Sequence, residues 1–131
     1  MDFISTRIIT ADVARLVGFY EHVTGVRAAW ANEEFAELRT ATGTLAIGGV
    51  PTVALFAPGS ARPAENRSVI VEFLVDDVDA TFKGLPEDAD VVNEPKTMPW
   101  GNRSLLVRDP DGNLVNFFTP VTDAARQRFG R

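Results

Sequence analysis

The chain has 131 residues and no cysteine; 45% of its residues are hydrophobic and 24% are charged. This composition is typical of one globular domain, and the lack of cysteine excludes disulfide frameworks, thiolate metal sites and cysteine nucleophiles. The net charge of −5 argues against a general affinity for nucleic acid, whose phosphates attract an excess of Lys and Arg. No apolar stretch reaches the ~18 residues of a membrane span and the first residues lack a secretory pattern, so we expect a cytoplasmic protein.

The first half of the chain predicts the order β-α-β-β-β. Residues before Asp12 alternate as in a strand, and Asp12 is suited to cap the helix whose apolar stripe runs from Val13 to Thr24. Gly25 is a natural end for this helix. Three strands joined by short turns then follow over 26–31, 35–39 and 44–47.

The segment 49–67 separates this half from the second. It is rich in Gly, Pro, Ala and Ser around an apolar core over 52–56. A spacer of this length is uncommon within a compact domain. It predicts either a linker with one added strand or a lid over a bound molecule.

The second half repeats the first, because Asp77 ends a strand-like stretch and opens a helix 65 positions after Asp12. This helix is short and ends by Pro86. Strands follow over 89–93, 103–108 and 114–119, the last two joined by the turn Asp109-Pro110-Asp111-Gly112-Asn113. The tail, 123–131, predicts a short solvated helix. The two repeats therefore cover about residues 3–48 and 68–120 of a single domain.

These motifs together resemble the vicinal oxygen chelate superfamily of glyoxalases, bleomycin-resistance proteins and dioxygenases. The resemblance runs from about Ser5 to Pro120. It rests on Gly18-Phe19-Tyr20-Glu21 before Gly25, on Val75-Asp76-Asp77-Val78-Asp79, and on the turn at 109–113. It implies an α+β fold in which two β-α-β-β-β repeats form a curled mixed sheet around a concave chamber. It also implies a homodimer, because single-domain members of this superfamily generally pair.

The resemblance implies four metal-ligand positions, usually His, Glu or Gln, that carry other residues here. Counting from the capping aspartates and the hairpin turns assigns them to Ser5, Ile47, Ile70 and Asn116. A hydroxyl, an amide and two isoleucines do not supply imidazole or carboxylate ligands, so we expect no metal and no other cofactor. The single histidine, His22, is predicted to face solvent.

Strand alternation predicts which side chains enter the chamber. Trp100 joins them because a large aromatic on a Pro/Gly loop is often a lid or a subunit contact, although core packing is the competing interpretation. Trp30, at the end of the second strand, is predicted to pack in the core. The residues predicted to contact a ligand are Arg7, Phe35, Glu37, Arg39, Glu72, Trp100, Arg108, Asn116 and Phe118.

Arg7 and Glu72 occupy equivalent places, each five residues before its capping aspartate. Buried ions are destabilising unless they are paired, so a structural ion pair between these two residues is predicted. The alternative is that Glu37 or Glu72 acts as a general base, with a pKa shifted by burial beside other charges.

Three functional hypotheses follow. The first is a non-enzymatic binding protein that sequesters an antibiotic or another amphipathic compound; the missing metal ligands, the two tryptophans and the acidic composition favour it. The second is a lyase or dioxygenase of the glyoxalase kind, with its metal held by other residues such as Glu37 and Glu72. The third is a metal-free enzyme that uses one buried carboxylate for proton transfer. All three depend in part on analogy of fold, and the sequence favours binding.

Overall fold

A computed structural model describes residues 1–131, which divide into two compact units, Met1–Asn66 and Arg67–Arg131. Each unit contains a four-stranded mixed sheet with helices, so the predicted α+β class and the two β-α-β-β-β halves are confirmed. No helix of the chain combines the length and the apolar character that crossing a bilayer requires.

The first unit contains, in chain order, β1 (Ser5–Thr10), α1 (Val13–Thr24), β2 (Ala29–Asn32), β3 (Phe35–Arg39), β4 (Thr44–Gly49) and α2 (Val50–Ala54). Its strand order is β1-β4-β3-β2. The β1–β4 pair is parallel, and the other neighbours are antiparallel. The chain passes through α1, β2 and β3 between these two strands, which provides the crossover that a parallel pair requires.

Helix α1 begins and ends where the sequence predicts. The Asp12 carboxylate accepts a hydrogen bond from a backbone N–H of the first turn (3.1 Å), and Gly25 ends the helix with a left-handed φ of 72°. Strand β2 begins at Ala29, three residues later than predicted. The preceding N–H, that of Ala28, donates to the Glu21 carboxylate (2.8 Å). The buried stripe of α1 packs on β3 and β4 and consists of Val13, Leu16, Val17 and Tyr20.

Helix α2 replaces the added strand predicted for the segment between the repeats, and that prediction is wrong. Pro51 lies in the first turn of α2, where the fixed φ of proline favours a helix and no donor is lost. The Thr52 hydroxyl donates to the Gly49 carbonyl (2.7 Å) and secures this turn. The helix packs against β1 and β4 and buries Val53, so the first part of the segment folds with the first unit.

The second unit contains β5 (Ile70–Leu74), α3 (Val78–Lys83), β6 (Asp90–Thr97), β7 (Asn102–Arg108), β8 (Leu114–Pro120) and α4 (Asp123–Phe129). Its strand order, β5-β8-β7-β6, reproduces that of the first unit, again with one parallel pair, β5–β8. Asp77 caps α3 as predicted, and Gly84 follows its last residue two positions before Pro86. The apolar core between α3 and the sheet consists of Val78, Leu105, Val107, Val115 and Phe117.

The tail forms the predicted helix, α4, but this helix is not wholly solvated. The Thr122 hydroxyl accepts a hydrogen bond from the Ala125 backbone N–H (3.2 Å) and caps its first turn. Ala125 is buried, and the Phe129 ring lies 5.2 Å from the ring of Phe118 in β8. Helix α4 therefore packs on the second sheet.

Candidate functional site

Each sheet has one face packed on its helix, α1 or α3, and a second face that we call the open face. Strand register assigns the residues of the first sheet, because hydrogen-bonded neighbours point to the same side. The predicted contact residues Arg7, Phe35, Glu37 and Arg39 share one face, as their alternation indicated. The open face of the first sheet carries, on β1, β3 and β4, Ser5, Arg7, Ile9, Phe35, Glu37, Arg39, Thr44, Ala46 and Gly48.

The Arg7 guanidinium lies over two phenyl rings on this face. Its Cζ is 5.2 Å from the centroid of the Phe35 ring and 5.3 Å from that of Phe56. Both distances are within the ~6 Å at which the face of an aromatic ring attracts a cation. Phe35 is half-buried in β3, whereas Phe56 follows α2 and is 75% exposed. We call Arg7, Phe35 and Phe56 the arginine cluster.

A glycine allows α2 to approach the open face of the first sheet. A Cβ atom at Gly48 would lie 2.8 Å from the Thr52 hydroxyl, so a larger residue would displace that hydroxyl, whereas the Phe35 ring at 3.6 Å would stay in ordinary contact. The sequence prediction missed Phe56 because it assigned 52–56 to a strand. Pro51 after two glycines was the signal that favoured a helix there.

Glu37 and Arg39 pair with each other, with 2.9 Å between the carboxylate Oε1 and the guanidinium Nη2. Ala46 lies between Arg7 and Glu37 in the strand register. A second ion pair of the first unit joins Arg62 and Glu65, which follow α2. Arg7 forms no ion pair within 4 Å with a carboxylate of this unit. The predicted pairing of Arg7 with Glu72 would join the two units and stays a prediction.

The open face of the second sheet carries a polar group centred on Glu72. The Asn116 side-chain N–H donates to the Glu72 carboxylate (2.8 Å), so this carboxylate is oriented within its own unit. The Asn116 Oδ1 and the Ser104 hydroxyl are buried without a hydrogen-bond partner. Register assigns to this face Ile70, Glu72, Leu74, Ser104, Leu106, Arg108, Asn116 and Phe118.

Two other predicted contact residues of this face have structural partners. Arg108 donates to the Gly112 carbonyl (2.9 Å) and braces the turn between β7 and β8. Phe118 lies on the open face by register, but it is only 8% exposed because its ring packs against Phe129 of α4. Phe118 therefore contributes to the core of the second unit.

The two tryptophans are both exposed. Trp100, in the turn before β7, is 65% exposed, so core packing is the wrong interpretation for it. Trp30 is also wrongly predicted as a core residue. Register pairs it with Ala36 on the α1 side, but β2 is an edge strand and leaves much of the indole exposed. Ligand contact by Trp100 stays a prediction.

One ion pair that the sequence analysis did not identify joins α3 to β7. The Arg103 guanidinium donates two hydrogen bonds to the Asp79 carboxylate, at 2.8 and 2.9 Å. The hydrogen bonds from Arg103 hold the pKa of Asp79 below its ordinary value of 3.8, although burial opposes this shift. The same hydrogen bonds raise the pKa of Arg103. This bidentate geometry connects two elements of the second unit.

Comparison with known protein families identifies the chain at the level of its superfamily. The Glyoxalase/Bleomycin resistance protein/Dioxygenase superfamily model matches residues 3–117. The chain belongs to this superfamily. No protein of curated function matches the chain in sequence.

Several solved structures are similar to this superfamily member. A protein of unknown function from Agrobacterium tumefaciens is 23% identical, with a TM-score of 0.79 over 91% of this chain and 94% of that one. A glyoxalase/bleomycin resistance protein/dioxygenase from Nocardioides is 19% identical, with a TM-score of 0.74 over 94% and 85%. TioX from Micromonospora sp. ML1 is 26% identical, with a TM-score of 0.68 over 92% and 100%. These similarities establish the fold.

The superfamily's metal-ligand positions need one correction in this chain. Ile47 is fully buried on the α1 side of its sheet, so its side chain does not reach the open face. Asn116 pairs with Glu72, and the residue that pairs in the same way with Arg7 is Ala46. Register therefore replaces Ile47 with Ala46 as the equivalent of Asn116.

The residues at the positions that the resemblance assigns to metal ligands supply few donor atoms. Ala46 and Ile70 have no donor atom, and Ser5 has only a neutral hydroxyl, whereas zinc and iron sites take imidazole, carboxylate or thiolate ligands. Asn116 directs its amide N–H to Glu72. No group of three or more His, Asp or Glu side chains lies close enough to hold a metal ion.

Proposed function

We propose that this superfamily member is a binding protein for small aromatic, amphipathic molecules and works without a metal. The observation that carries the proposal is the arginine cluster. It presents an exposed phenyl ring, that of Phe56, beside a cation on the open face of the first sheet. Aromatic surface next to a few oriented polar groups is the usual chemistry of a small-molecule site.

The donor set supports the metal-free part of the proposal. The superfamily positions supply one amide and one hydroxyl, and the amide is already used within its own sheet. None of the four positions is anionic, and the one carboxylate beside them, that of Glu72, already accepts from Asn116. An organic molecule needs only apolar contact and hydrogen-bond partners. An acidic chain attracts cationic molecules in general, but its net charge of −5 is a property of the whole chain, and the local charge of the cluster is positive.

The test uses the full chain, freed of metal with a chelator, and the neutral probe 2-naphthylmethanol. Calorimetric titration should show saturable binding that is unchanged by added Zn²⁺. Phe56→Ala should weaken binding about fivefold, because an aromatic pair contributes about 1 kcal/mol beyond its buried area. Leu55→Ala is the matched control, since Leu55 is an adjacent, exposed apolar residue outside the cluster. Binding that requires Zn²⁺ would contradict the proposal. So would the absence of binding both with and without added Zn²⁺.

Metal-free proton transfer by Glu72 is the second candidate, favoured by the hydrogen bond from Asn116 that orients its carboxylate. In this case the chain should accelerate deuterium exchange at the methyl group of 2-acetylnaphthalene in D₂O. Glu72→Gln should abolish that exchange and leave naphthyl binding intact.

A further inference from the structure

Arg7 has hydrogen-bonding capacity that its own unit does not use. A guanidinium carries five N–H donors, all in its plane. The guanidinium of Arg7 lies over two phenyl rings, and the carboxylate that register assigns to its face of the first sheet, that of Glu37, is paired with Arg39. Aromatic rings attract the cation but accept no conventional hydrogen bond. The donors of Arg7 therefore lack an acceptor in the first unit.

The groups around Arg7 indicate what kind of molecule could bind there. The rings of Phe35 and Phe56 are apolar surfaces within 5.3 Å of the guanidinium carbon, and Ile9 lies on the same face beside Gly48. A molecule that satisfies these groups together has a planar apolar part and an anionic acceptor at one end. A carboxylate matches the two parallel N–H bonds of a guanidinium edge.

We infer that the ligand of the arginine cluster is an aromatic carboxylic acid, bound through its carboxylate to Arg7 and through its ring to Phe56. This inference rests on the proposed function and names its ligand class. Arg7 is exposed, so the interaction forms without removing a buried charge from an existing partner. The net charge of −5 repels anions in general, and a preference for an acid must therefore arise locally.

The experiment compares three probes of the same aromatic group on the full chain: 2-naphthoate, 2-naphthylmethanol and 2-naphthylmethylammonium. Titration at low ionic strength should show 2-naphthoate binding about fivefold more tightly than the alcohol, as expected for one solvent-accessible ion pair. The ammonium compound should bind most weakly. Raising the salt to 0.15 M should reduce the preference for the acid, because exposed charges are screened.

Arg7→Met should bring the affinities for the acid and the alcohol to within about twofold of each other, whatever the change in binding of the alcohol itself. Arg15→Met, which makes the same change of charge at an exposed position of α1, should retain the preference. Thermal melts of both variants establish that they are folded. Equal binding of the three probes, or an undiminished preference in Arg7→Met, would overturn the ligand class while leaving the proposed function intact. Absence of binding by all three probes would overturn both.

Discussion

The Asp79 carboxylate accepts two hydrogen bonds from Arg103, and this contact makes stability depend on pH. Because the folded state lowers the pKa of Asp79 below 3.8, the folded state holds its proton less tightly than the unfolded chain does. The stabilisation is therefore fully present above the unfolded pKa and is lost as the pH falls through the lower, folded pKa. We expect Asp79→Asn to destabilise the protein near neutral pH and to have less effect at about pH 3.

Urea unfolding from pH 7 to pH 3 measures this difference. Glu65→Gln is a suitable control, because the Glu65 carboxylate lies 3.9 Å from Arg62 and both side chains are largely exposed. A gap between wild type and Asp79→Asn that stays constant down to pH 3 would show that ionisation of Asp79 does not contribute.

Strand alternation assigned most side chains to the correct face of their sheet, and one residue shows where it fails. The period of two correctly assigned Arg7, Glu37, Glu72 and Asn116 to the open faces, since one face of each sheet must be apolar to pack on its helix. Ile47 was misassigned because the count started from Gly43 in a turn shorter than the one at 109–113. A slip of one residue moves a side chain to the opposite face of a sheet.

Among the helices, those with capping residues or a clear apolar stripe were predicted, and the one that depends on packing was not. Helix α1 has twelve residues, a capping aspartate and a terminal glycine, so local signals determine it. Helix α2 has only five residues, and its short apolar sequence is equally typical of a strand. Its conformation depends on Pro51 and on packing against β1 and β4, and its apolar run alone does not reveal that packing. The position of Phe56 follows from that packing.

The turn before β7 packs closely against the start of α4, and the residue at the point of contact is a glycine, Gly101. Gly101 has a φ of +94°, and a Cβ atom there would collide with the Thr122 hydroxyl and lie 3.1 Å from the Ala125 Cβ. We expect Gly101→Ala to destabilise the protein by about 2 kcal/mol or more, from backbone strain and displacement of α4.

Gly18 provides the matched control for this substitution. It lies within α1, and a Cβ atom there would meet no other atom within 4 Å. Gly18→Ala should therefore stabilise the protein by ~1 kcal/mol, through helix propensity. Urea unfolding of both variants would refute the prediction if Gly101→Ala were as stable as wild type.

For the chain as a whole, the repeat in the sequence predicted the order of helices and strands in each half, but not the order of strands within each sheet. Asp12 and Asp77 mark equivalent points, and each is followed by the same order of elements, so both sheets acquire the same strand order. The candidate site was predicted less completely. Its polar residues follow from alternation, but the contact of Arg7 with Phe56 joins residues 49 positions apart and depends on a helix that the sequence did not predict.

We expect the chain to form a homodimer. Several large apolar side chains are exposed, among them Phe3 and Ile4 before β1 and Trp100 before β7, and a second copy would remove such surface from water. Tryptophan is enriched among the residues that contribute most to the binding energy of interfaces.

Trp100→Ala should therefore raise the dimer dissociation constant about thirtyfold, which corresponds to about 2 kcal/mol. Light scattering and sedimentation at tens of micromolar measure this, with Arg15→Ala on exposed α1 surface as the control. A monomeric wild type at those concentrations would contradict the dimer, whereas a dimer unchanged by Trp100→Ala would exclude Trp100 from its interface.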